Sequence, residues 1–174
     1  MSEDTATVIP VALSAFAIFA SWAIAGSVWS SRTKALARAF PDDEVLSAGR
    51  SRAIALASAA YVRRGEWIEG PSTFPSFFTI VISQTGVGFW KTRNSRMVSV
   101  GWDELGPVTQ VLIPNSPRKT RGINFQIRSD GATIDLPVMV VGRGPFGLFV
   151  QSKRAIEAVC TRAESWRLAS SRRV

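Results

Sequence analysis

Phe77 to Trp102 reads FFTIVISQTGVGFWKTRNSRMVSVGW, and the spacing of its apolar residues decides the fold class. Phe77 to Ile82 is aromatic and β-branched, the composition of a buried strand. Gln84-Thr85-Gly86 supplies a turn, Val87 to Lys91 resumes as a second strand, and Thr92 to Ser95 is polar enough to turn again. Arg96 to Trp102 then alternates strictly, with Val98, Val100 and Trp102 opposed to Met97, Ser99 and Gly101. A period of two places successive side chains on opposite faces, so this is a strand with one buried face in an antiparallel sheet.

Working outward toward the C-terminus, Asp103 to Pro107 interrupts the pattern and Val108 to Ile113 restores it. Asn115 to Gly122 (NSPRKTRG) reads as a basic loop, and Ile123 to Arg128 alternates again. Asp130-Gly131 is a hairpin turn, because glycine takes positive φ without a Cβ clash. Ala132 to Val141 returns as a strand, and Pro137 within it marks an edge position or a bulge. About six short strands in meander order result, and a sheet of that kind must close or be covered to hide its edges. The cover comes last: Ser152 is placed to N-cap a helix over Lys153–Ala169. Ile156, Val159, Cys160, Ala163 and Trp166 lie on its apolar stripe.

Short antiparallel strands followed by one amphipathic helix bearing a tryptophan resemble the pleckstrin-homology-like (PH-like) fold. The wording Thr85-Gly86-Val87-Gly88-Phe89-Trp90, and Val98 to Leu105 after it, resembles bacterial PH-like domains of the actinobacterial type. The resemblance covers Phe77 to Ala169 and implies a partly open barrel with a capping helix. It also implies a neighbouring transmembrane helix, which such domains often have. In the phosphoinositide-binding members of the wider family the basic motif lies in the first hairpin. The first turn read here, Gln84-Thr85-Gly86, is short and uncharged, so that lipid site does not carry over.

Toward the N-terminus, Asp42 to Glu44 is an acidic turn, Glu44 to Ala48 a short strand, and Gly49 to Trp67 a helix ended by Gly65 and the Gly70-Pro71 pair. Thr5 to Ser31, TATVIPVALSAFAIFASWAIAGSVWSS, carries no charge over 27 positions. About 20 apolar residues suffice to cross a bilayer, so the stretch reads as a transmembrane helix. Ser2, Glu3 and Asp4 make the N-terminus acidic, unlike a secretory signal, although Ala23-Ile24-Ala25 has the form of a cleavage site. Arg32, Lys34 and Arg38 follow directly, and the positive-inside rule then puts the N-terminus outside and the C-terminal domain in the cytoplasm. Ala17, Ser21 and Ala25 have the small-xxx-small spacing that permits close helix packing.

Composition narrows the chemistry. The net charge is +8, and because Glu3 and Asp4 precede the apolar run, Arg32 to Val174 carries +10. Such a balance favours anionic partners: lipid headgroups, acidic proteins or nucleic acid. Histidine is absent, which removes the commonest general base and metal ligand, and the single Cys160 allows no intrachain disulfide. Gly142 to Gly147 matches G-x-G-x-x-G literally, but a dinucleotide site needs a βαβ unit that antiparallel strands do not provide. Asp103 and Glu104 are adjacent and diverge on any regular element.

The sequence therefore predicts an α+β chain in three parts. Residues 1–31 form a short tail and transmembrane helix, 32–71 a basic juxtamembrane linker and helix, and 72–174 a PH-like domain of about six strands with a C-terminal helix. The expected role is a single-pass cell-membrane protein whose cytoplasmic domain is a non-catalytic binding or scaffolding module, with no catalytic residues, cofactor or metal. Candidate contacts for an anionic leaflet or a protein partner are Arg32, Lys34, Arg38, Lys91, Arg93, Arg96, Arg118, Lys119 and Arg121. The alternative is a membrane-tethered nucleic-acid-binding module with Trp90 or Trp102 as stacking surfaces.

Overall fold

A computed structural model describes residues 3–52, 54–55, 75–115, 118–129, 131–143 and 149–172. Helix α1 (Glu3–Ala39) is followed by β1 (Glu44–Gly49), β2 (Phe77–Ser83), β3 (Gly86–Thr92) and β4 (Ser95–Gly101). Then come β5 (Leu105–Asn115), β6 (Arg118–Ser129), β7 (Ala132–Arg143), the two-residue β8 (Phe149–Val150) and helix α2 (Lys153–Ser171). The strands make one eight-stranded sheet in the order β4-β3-β2-β1-β7-β6-β5, with β8 beside β7, and every pairing is antiparallel.

β1 is the hinge of this order. It pairs with β2 from Glu44 opposite Ile82 to Gly49 opposite Phe77, and with β7 from Ser47 opposite Val141 to Gly49 opposite Met139. The two consecutive runs, β2–β4 and β5–β7, thus meet through a strand far from both in sequence. The β2–β3 turn is tight because Gly86 sits at φ +150°, where a Cβ would collide with the Val100 carbonyl on β4. Gly131, at φ +75°, supplies the β6–β7 hairpin turn expected of it.

The curled sheet encloses a core that spans both runs. Phe78 on β2, Phe89 on β3 and Phe125 on β6 are fully buried and form a ring series, with centroids 6.2 Å and then 5.9 Å apart. Edge-to-face and tilted packing of this kind adds about 0.5–1.5 kcal/mol per pair beyond area burial. Trp102, 5% exposed, closes the β4 side and its Nε1 donates to the Ser83 carbonyl at 3.0 Å. α2 starts where Ser152 Oγ accepts from Ala155 N–H, and it buries Ile156, Val159 and Ala163 against the core. It packs chiefly on β5 and β6.

Several expectations are corrected. Among the described residues the strands number eight, not about six, because Glu44–Gly49 is a full sheet member and Phe149–Val150 adds a short one. The basic segment 115–122 is mostly strand: β6 starts at Arg118, and Lys119 and Arg121 pair with Pro114 and Leu112. The apolar run Thr5–Ser31 is helical, and α1 continues through the basic residues after it to Ala39. A crossing needs about 20 consecutive apolar residues. Among the described residues no helix is long and apolar enough to cross a membrane, which overturns the transmembrane helix, the single-pass topology and the cell-membrane placement built on it. Instead, the end of α1 is a packing element: Leu36 is buried, Thr33 Oγ1 and Ser47 Oγ of β1 are 2.6 Å apart, and Phe40 meets Trp90 of β3.

The helix expected over Gly49–Trp67 falls largely outside the described residues. Its start is seen. Arg52, Ile54 and Ala55 are helical, Ser51 Oγ accepts from the Ile54 N–H at 3.1 Å, and Ile54 is buried in the core.

Candidate binding surface around Trp90

Trp90 lies near the end of β3, where the ladder to β4 is irregular. Register shifts flank it, so that it faces Arg96 across the strand pair, and Thr92 faces Ser95 at the turn. The Arg96 guanidinium sits over the indole, 5.8 Å from its centroid, a cation–π geometry worth about 0.5–1 kcal/mol at an exposed site. The Phe40 ring approaches the same indole to 5.6 Å at a 53° tilt. One indole therefore joins the end of α1 to the β3–β4 hairpin, two elements some 50 residues apart in sequence.

The two elements that meet there carry six of the nine candidate contacts, of which Arg96 touches the indole. Arg32, Lys34 and Arg38 lie on the last turns of α1, with Lys34 and Arg38 exposed and Arg32 half-buried. Lys91, Arg93 and Arg96 lie on β3, its turn and β4, with Arg93 and Arg96 exposed and Lys91 half-buried. Lys119 and Arg121 are exposed on β6, beside the exposed Leu112 of β5, and Arg118 begins the same strand. Three strands, β2, β1 and β7, separate β3 from β6 in the sheet, so the candidates form two regions rather than one face.

The acidic turn after α1 belongs to the same neighbourhood. Asp42 and Asp43 follow Pro41 at the C-terminal end of the helix, and neither carboxylate has a hydrogen-bond or ion-pair partner among the described residues. Burial, and then the adjacent Asp42 charge, raise the Asp43 carboxyl above its ordinary 3.8. Glu44 is paired: its Oε2 accepts from Arg162 of α2 at 3.1 Å.

Elsewhere the candidate chemistry resolves into packing. Cys160 lies half-buried against the core, and burial together with Glu164 and Glu157 pushes its thiol up to about 11. Gly142 of the glycine-rich segment lies in β7 with its φ at +144°, and residues 144–148 lie outside the described ones. Among the described residues there is no cluster of three or more potential metal ligands. Sequence reasoning treated Asp42 and Asp43 only as a turn and gave Phe40 no role. The signal available was the pairing of an aromatic at the helix terminus with an aromatic at a strand end. No family model matches this chain, and neither a curated protein nor a solved structure is significantly similar to it.

Proposed function

We propose that the chain is a non-catalytic binding module, a PH-like domain that docks an acidic protein partner through the basic neighbourhood of Trp90. The observation that carries this reading is the convergence of the α1 terminus and the β3–β4 hairpin on one indole. It joins two elements that together carry six Lys and Arg residues and seats one of them, Arg96, on an aromatic post, and pre-positioned guanidinium groups match carboxylates with less ordering cost than free ones. Two consecutive antiparallel runs flanking β1, with one helix after the last long strand, support the PH-like assignment. The nucleic-acid alternative is weakened at its stacking surfaces: Trp102 is buried and hydrogen-bonded, and Trp90 is half-buried with Phe40 and Arg96 against it.

The test is charge reversal at equal cost in net charge. Lys91→Glu/Arg93→Glu and Lys119→Glu/Arg121→Glu each remove the same charge from the full chain. Binding to polyglutamate at physiological salt is compared with binding to vesicles containing phosphatidylserine. The first variant is expected to lose polyglutamate binding by about tenfold or more, the second to lose far less. Equal losses in the two variants would mean that net charge alone governs binding. Vesicle binding without polyglutamate binding would replace the protein partner with a lipid surface.

A further inference from the structure

A cavity of about 460 Å³ opens between the end of α1 and the outer face of β2, β3 and β4. Its volume falls within the range of small-molecule sites. Phe40 and Trp90 form an aromatic wall, Val81 and Gly88 the floor, and Asp42 and Asp43 one rim. We propose that this cavity takes an alkylammonium or alkylguanidinium group, the stem lying along the Phe40–Trp90 wall and the cation between Asp42 and Asp43.

Three features of the cavity argue for a cation with an apolar stem. The wall is aromatic, and its rings are fixed against each other at 5.6 Å, so its shape precedes any guest. The rim carries two carboxylates with no partner among the described residues, placed at the negative end of a 37-residue helix. Acidic groups are unfavourable there and a positive charge is favoured, because the last helical carbonyls point toward it. The hydroxyls of the β2–β3 turn are satisfied internally: Ser83 Oγ lies 2.9 Å from Thr85 Oγ1 and accepts from the Thr85 N–H, so the turn keeps its shape without a guest. The charged groups lining the cavity are Asp42, Asp43 and Arg96. Arg96 lies over the indole and keeps its charge, and among the described residues that line the cavity the two carboxylates outnumber it.

The cation has two possible sources, a free amine or the side chain of a basic peptide, and both present the same head and stem. Neither depends on the acidic-partner reading, which uses the outward side chains of the hairpin. The full chain is titrated with n-butylguanidinium, with N-acetyl-argininamide and with neutral n-pentanol. The indole N–H resonance of Trp90, assigned with Trp90→Phe, is the readout. A saturable shift with the first two probes and none with pentanol is expected, and it weakens about tenfold or more in Asp42→Asn/Asp43→Asn. A shift by butylguanidinium alone assigns the site to free amines, and one by both probes extends it to peptides. The double variant retains the amide-proton spectrum of the sheet if it folds, and Asp42→Glu/Asp43→Glu restores binding. No saturable shift at millimolar probe, or an unchanged shift in the double Asn variant, overturns the proposal.

Discussion

Glu164→Ala is expected to release the open edge of the sheet. β5 ends the strand order, and an edge strand presents unpaired backbone groups to other chains. Here α2 reaches over that edge: Glu164 Oε1 accepts from the Val108 N–H at 2.5 Å, and Arg167 holds the carboxylate from behind at 2.9–3.2 Å. A hydrogen bond to a charged group contributes about 1.5–3 kcal/mol, and loss of the acceptor leaves the amide unsatisfied. The Glu164 side chain is 27% exposed, so water partly replaces it and the lower end applies. About 1.5 kcal/mol corresponds to roughly a tenfold rise in local opening. The Arg167 ion pair, one helical turn away, adds only about 0.3–0.5 kcal/mol. Amide exchange at Val108 and urea unfolding at constant slope measure both effects, and Glu164→Gln, which keeps an acceptor, is expected to lose less. The same two variants lower the Cys160 thiol, since Glu164 is one of the charges that raise it. Unchanged Val108 protection in Glu164→Ala would refute the edge-capping argument, whatever the global stability does.

Leu36→Ala removes the buried anchor of α1 on the sheet, and the cost of such truncations is about 2–5 kcal/mol. The lower end is expected at a helix lying on the sheet's outside, read by chemical denaturation, and a loss below about 0.5 kcal/mol would mean the contact carries no weight. Asp43→Asn is expected to stabilise the fold at neutral pH. The folded carboxyl is raised above 3.8, so its favourable contribution is present below that pH and is lost as pH rises through the folded value. Melting temperatures of Asp43→Asn and the parent should therefore converge in acid and separate above it; a constant difference would exclude this cause. Cys160 should alkylate slowly, because a thiol moved from 9.0 to about 11 holds about a hundredfold less thiolate at pH 8. Iodoacetamide rates that level off near pH 9 would contradict that shift.

The local signals that the sequence carries strongly are those the structure repeats. The alternating stretch Arg96–Trp102 covers β4 (Ser95–Gly101) and the residue after it, with Val98, Val100 and Trp102 buried as expected, but Met97, expected on the opposite face, is buried in the core as well. Ser152 caps α2, and Ile156, Val159 and Ala163 form its buried stripe. Trp166, on the same stripe by spacing, stays half-buried with the Arg162 guanidinium 5.2 Å over its ring. Pro137 looked like an edge or a bulge, and the reason for its tolerance is local. β7 is interior, but β1 ends at Gly49 opposite Met139, so the strand beside Pro137 has already stopped, and Ser51 Oγ donates to its carbonyl at 3.4 Å. Strand order is not a local property. Nothing in Glu44–Gly49 announces that it pairs with strands starting 33 and 88 residues after its own start, and its six residues are too few for periodicity to mark it strongly.

The candidate surface was legible only in its parts for the same reason. Basic residues at 32–38 and 91–96 are visible in sequence, but the contact of their two elements through Phe40 and Trp90 is not, and β1 ties the pieces together. Thr33 of α1 meets Ser47 of β1, and Glu44 of β1 pairs with Arg162 of α2. β1 also bonds to β2 on one side and β7 on the other. Remove that strand and α1 loses its main partner, Phe40 loses the support that holds it against Trp90, and Asp42 and Asp43 no longer face a cavity. The charge pattern states what kind of partner the chain favours, whereas a six-residue strand decides where those charges stand. Substitutions at Ser47 or Leu46 should therefore disturb binding at Trp90 without touching a charged residue, which a reading based on net charge alone does not predict.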